Sequence, residues 1–180
     1  NQKVSLTELA EMIRTDFATM TTCQKIRTNK SLTSEEVKNI KQNELRGVEL
    51  HSVCNGNRSN SNVVSLTGYF VIDYDEPNVQ YDVLKQDIIN DTIINPCLVF
   101  FSPQRKLKVV VKIKELEGLT GTPQELKSKF EFYYKQLLTC LSERYAVKAD
   151  TSCCDVVRLT YLSYDADVYV NDGAYTNVVF

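Results

Sequence analysis

The sequence predicts one α/β or α+β domain built around a single sheet. Three observations carry this. Stretches with helical periodicity interleave with short apolar runs of strand length along all 180 residues. Hydrophobic residues make up 43% and charged residues 24%, enough apolar surface for a packed core. No repeat, coiled coil or low-complexity tract divides the chain, so residues 1–180 read as one domain.

The elements follow in order. Residues 5–16 predict a helix: Ser5 and Glu8 have capping-box spacing, and Leu6, Leu9, Met12 and Ile13 share a face. Residues 33–43 repeat the signature with Thr33 and Glu36 but carry little apolar surface, which places this helix outside. Residues 55–62 are a polar loop without packing residues. The run from Ser65 to Asp75 reads as one strand, stopped by Pro77, and residues 79–91 as a helix. Asn95-Pro96 breaks the chain before the apolar strand 97–101. A turn at Ser102–Arg105 leads into a strand over 107–113. Thr122, Pro123 and Glu125 supply the cap, first-turn proline and capping-box acid of a long helix reaching Tyr145. Its expected buried side is Leu126, Phe130, Tyr133, Leu137, Leu138 and Leu141. Residues 156–162 read as a further strand, and the tail from Ala166 onward has no clear pattern.

Composition excludes several functions. The formal net charge of −2 is not that of a globally basic nucleic-acid binder, although a local basic patch remains open. With one histidine, a three-His zinc site and an HExxH protease are impossible. His51 lies in a polar stretch without a nucleophile motif and reads as an ordinary surface or strand residue. The six cysteines stand in scattered, partly apolar contexts without CxxC spacing, so free thiols and a cytoplasmic protein are expected. No apolar run has the length of a membrane span, and no leader pattern opens the sequence.

Three segments carry groups suited to chemistry. In FVIDYDEP (70–77), strand alternation puts Asp73 and Asp75 on one face, roughly 6–7 Å apart. Such a pair suits magnesium or manganese, or else is an acidic strand end without function. In residues 102–114, Arg105 and Lys106, Lys108, Lys112 and Lys114 occur without an acid. Lys106 and Lys108, beside the Ser-Pro turn, are expected to hold phosphate, and Lys112 and Lys114 to lie on a solvated face. In residues 148–167, Asp150 is placed to complete a carboxylate triad, and Arg158 to pair with Asp155 in a structural role. Asp165 and Asp167 fit a turn.

Taken together, the opening helix, GYFVIDYDEP, FFSPQRKLKVVV, the helix ending YYKQLLTCLSERY and DVVRLTYLSYDADVYVN resemble the archaeo-eukaryotic primase superfamily. Within it they most resemble the VirE N-terminal-like domain of bacterial mobile elements. The resemblance implies an α+β fold: a single, mostly antiparallel sheet flanked by helices, as in primase-polymerases. It implies catalytic and metal-binding roles for Asp73, Asp75 and Asp150 with magnesium or manganese. It implies phosphate binding by Ser102, Lys106, Lys108 and Arg158, with DNA or a nucleoside triphosphate as partner. Lys108 stands where the superfamily carries a histidine, and Gln104-Arg105-Lys106 where relatives carry a glycine-containing turn. A helicase-like region behind the domain is the expected context. Nucleotidyl transfer, a binding or helicase-positioning module without turnover, and a protein-interaction domain without nucleic acid remain as alternatives.

Overall fold

A computed structural model describes residues 3–178 of the chain. The α+β class is as expected. The single sheet is not: pairing falls into three antiparallel sets. The largest has four strands in the order β4-β6-β5-β8, with β4 Tyr69–Tyr74, β5 Leu98–Phe101, β6 Leu107–Lys112 and β8 Tyr169–Val170. β1 (Gly47–Glu49) pairs with β7 (Leu159–Tyr161), and β2 (Ser52–Cys54) with β3 (Val63–Leu66). Gly68 causes the division of the expected Ser65–Asp75 strand. It sits at φ +84°, and a Cβ there would meet the Ile113 carbonyl at 2.8 Å. The chain turns at this point, leaving β3 in one sheet and β4 in another.

Both faces of the four-stranded sheet are covered, which is why β5 is an unbroken apolar run and the centre of β6 is three consecutive valines. Phe70, Ile72, Val99, Val109 and Val111 pack against α4 (Tyr81–Ile89) and α5 (Pro123–Arg144). Val71, Leu98, Phe100 and Val110 pack against Leu6, Leu9, Ala10 and Ile13 of α1 (Leu6–Thr15). Along α5 the buried residues are Leu126, Phe130, Tyr134, Leu137 and Leu141; Tyr133 and Leu138 are only partly buried. α3 (Ser34–Glu44) lies outside as expected, with Val37 its one buried residue.

Sequence periodicity misses α2 (Phe17–Thr28), because two of its four buried positions are threonines, Thr19 and Thr22. Asp16 ends α1 and starts α2: its backbone N–H donates to Met12, and its carboxylate accepts from the Thr19 N–H. The patternless tail is fastened to the sheet. Asn171 donates to the Cys97 carbonyl and Thr176 to that of Lys112. Residues 179 and 180 lie outside the described residues.

His51 is not a surface residue. It is 1% exposed and lies 4.7 Å from the Phe130 ring. Its Nδ1 meets the Asp155 carbonyl at 2.9 Å, and its Nε2 accepts the Val71 N–H at 3.1 Å. These partners fix the neutral tautomer with the proton on Nδ1. Val71 belongs to β4, the outer strand of its sheet. The Val71 carbonyl accepts from the Tyr134 hydroxyl at 3.2 Å, and the Asp73 carbonyl accepts the Asp150 N–H at 2.7 Å. Side chains and one loop thus take the place of a further strand.

All six cysteines are free thiols. Among the described residues, no helix is long and apolar enough to cross a membrane.

Candidate phosphate-binding site

The site grows from the register of β4 on β6, which sets Asp73 directly opposite Lys108. Both point to the α1 face of the sheet, in line with Val71 and Val110, where the apolar cover gives way to polar groups. The Lys108 ammonium pairs with one Asp73 carboxylate oxygen. The other oxygen receives Arg158 at 3.4 Å and the Cys153 thiol at 3.5 Å. Burial pushes the Asp73 carboxyl upward. Lys108, then Arg158 and Cys153, outweigh it and hold the group below the usual carboxylate range.

Asp150 joins this cluster through the backbone and through Cys153. Its N–H meets the Asp73 carbonyl, and its carboxylate accepts from the N–H and hydroxyl of Ser152, both at 2.8 Å. The same carboxylate receives the Cys153 thiol at 3.2 Å. Asp75 lies just past the end of β4 and is exposed. Arg158 was open to pairing with Asp155. Its side chain goes instead to Asp73 and the Ser152 carbonyl, while the Asp155 carboxylate accepts the Val157 N–H.

The Ser-Pro turn forms the opposite wall. Ser102 is buried; its N–H donates to the Lys106 carbonyl, and its hydroxyl accepts the Lys106 N–H at 3.1 Å. The Lys106 ammonium reaches the Glu76 carbonyl at 3.2 Å and lies 5.3 Å from the centre of the Tyr81 ring. Arg27, from the helix that sequence periodicity misses, holds this wall in place. It donates to the carbonyls of Ser102, Pro103 and Tyr164 at 2.8, 3.2 and 2.8 Å.

The seven residues expected to hold metal or phosphate line one cavity of about 240 Å³, and Lys41 of α3 joins them. The lining holds four cations (Lys41, Lys106, Lys108, Arg158) and three carboxylates (Asp73, Asp75, Asp150), a local balance of +1 in a chain of net −2. Sequence reasoning misses Lys41 because α3 is read only as a polar outer helix.

The other candidate groups fall elsewhere. Lys112 is not on a solvated face: it is buried, paired with Glu117 at 2.5 Å, and set between the rings of Tyr69 and Tyr175. Burial disfavours its charge, but Glu117 and its neighbours raise its pKa overall. Asp165 forms a buried pair with Lys85 at 2.7 Å and accepts the Phe101 N–H. It fastens its turn to α4 and β5 and is not part of the cavity.

Among the described residues, no group of three or more His, Cys, Asp or Glu side chains stands where it would hold a metal ion. Asp73 and Asp150 meet at the Cys153 thiol, and Asp73 already has two cations as partners. As placed, this donor set does not fit a magnesium or manganese ion, which needs free carboxylate oxygens.

Residues 40–170 match a family model described as BT4734-like, N-terminal domain. The chain belongs to the BT4734-like N-terminal domain family. The BT4734-like stretch contains all eight strands, α4, α5 and every residue lining the cavity. α1, α2 and most of α3 precede it. No curated protein and no solved structure matches the chain.

Proposed function

We propose that this BT4734-like domain binds the phosphates of a nucleotide or nucleic acid in the cavity between β4, β6 and the Ser102–Arg105 turn. The reading places it as a VirE N-terminal-like, primase-polymerase-like module of a mobile-element replication protein, with a helicase-like region on its C-terminal side. One observation carries the binding role: four cations from three separate parts of the sequence line one cavity, next to three carboxylates. Lysine ammonium groups are point-charge partners for phosphate, and a guanidinium can chelate it. Lys108 and Arg158 already share an anion, the Asp73 carboxylate, so a phosphate would exchange with a partner of like charge rather than enter an apolar site.

A second reading is nucleotidyl transfer assisted by magnesium or manganese, favoured by the presence of Asp73, Asp75 and Asp150 on the walls of the same cavity. It requires Asp73 to leave Lys108 and Arg158, which the binding reading does not.

The test is a titration of a labelled nucleoside triphosphate and a short single-stranded oligonucleotide, with and without manganese. Lys108→Ala is expected to weaken binding by roughly ten- to hundredfold, consistent with loss of one charge-assisted contact worth about 1.5–3 kcal/mol. Asp73→Asn is expected to retain or strengthen phosphate binding, since Lys108 and Arg158 lose a competing anion. Under nucleotidyl transfer, the same variant loses the manganese-dependent part. Wild type that binds neither probe in any condition overturns the proposal and leaves a protein-interaction domain.

A further inference from the structure

α3 contributes little to the core, yet its last turn is fixed in place. Lys25 of α2 meets Glu44 at 2.6 Å, and Lys41 reaches the Gln104 amide oxygen at 3.3 Å. That contact carries Lys41 to the cavity wall, where every other lining residue comes from Asp73 or later in the chain. The remaining cations of the cavity are better partnered. Lys108 and Arg158 share Asp73, and Lys106 has the Glu76 carbonyl and the Tyr81 ring. Lys41 has a neutral amide at long range. Partial burial disfavours its charge, and Lys108 and Arg158 add repulsion that Asp73 only partly offsets, so its pKa is lowered. An ammonium held beside like charges, with a weak and movable partner, is one that an incoming anion would satisfy.

We infer that Lys41 is a phosphate contact of this cavity, delivered by α3, and that the bound anion replaces Gln104 as its partner. The inference rests on the phosphate-binding reading above and adds a contact that lies outside the motifs on which that reading was built. It also assigns α3 a purpose that its single buried residue does not.

Three variants test it, with inorganic triphosphate and the labelled oligonucleotide as probes. Lys41→Gln removes the charge, Lys41→Arg keeps it, and Lys38→Gln removes a charge elsewhere on the same helix. Lys41→Gln is expected to weaken binding about tenfold, with Lys41→Arg retaining most of the affinity and Lys38→Gln close to wild type. The melting temperature of Lys41→Gln is expected to equal or exceed that of wild type, because repulsion from Lys108 and Arg158 is relieved. Binding by Lys41→Gln equal to wild type, while Lys108→Ala is impaired, overturns this inference and leaves the phosphate reading standing. Equal losses in Lys41→Gln and Lys38→Gln also overturn it, since overall charge then explains the effect. No binding of either probe by wild type removes both.

Discussion

His51 shows how far one side chain's environment departs from its sequence context. Its polar neighbours suggest exposure, but both ring nitrogens are committed to backbone groups inside the domain. Burial, opposed by the Asp155 carbonyl and aided by Arg158, pushes its pKa down to about 4 from 6.5. Between those values the unfolded chain takes up a proton that the folded chain refuses. Stability is therefore complete above about pH 6.5 and falls as the pH drops toward 4. The loss amounts to on the order of 3 kcal/mol for this one group. Urea midpoints of wild type and His51→Gln, compared between pH 7 and pH 4.5, check this. The variant is expected to be weaker at pH 7, and the difference to shrink on acidification. A constant difference would mean that His51 titrates normally. Asp73 is the contrasting case. Its strand face was legible from alternation, but its pairing with Arg158 was not, because that residue lies 85 positions away in the sequence.

At the scale of elements, the β5–β6 turn stores a conformational cost. Arg105 has φ +59°, a left-handed conformation costing a non-glycine residue roughly 1–2 kcal/mol. Its guanidinium lies 4.7 Å from the centre of the Phe101 ring and 3.3 Å from Asp82, an exposed pair of small value. Arg105→Gly and Arg105→Ala delete the same side-chain contacts and differ in backbone tolerance. The glycine variant is expected to be the more stable of the two by about 1 kcal/mol, read from thermal or urea unfolding. Equal stabilities would show that the turn relaxes to another shape. The chain makes this turn with arginine at a left-handed position that a glycine would occupy without steric cost. Capped or strongly periodic elements were legible, α1, α3, α5, β5 and β6 among them. α2 was hidden by its threonines, and β1 and β2 by a length of three residues each, too short for alternation to register. The division into three sheets depends on one glycine and on pairings between distant segments, which local pattern does not encode.

Across the whole molecule, the core is layered with α1 on one face of the four-stranded sheet and α4 and α5 on the other. Cys23, Cys97 and Cys153 are buried in it, while Cys54, Cys140 and Cys154 are partly covered. Burial raises the thiol pKa at Cys54, Cys97, Cys140 and Cys153. Titration with an aromatic disulfide reagent is therefore expected to be slow in the native state, with the partly covered thiols reacting first, and to count six thiols after denaturation. Fewer than six in the denatured, unreduced protein would reveal a disulfide. The fastening of β4 by His51, Tyr134 and Asp150 has a further consequence, for assembly. At the other edge of that sheet, β8 offers two residues and is followed by a tail bonded back to the chain. Neither border presents a long row of open amides and carbonyls, so an extended peptide has little to zip onto. A larger protein built around this domain would engage it through helix faces and loops, and fibril-like stacking through this sheet is disfavoured from both sides.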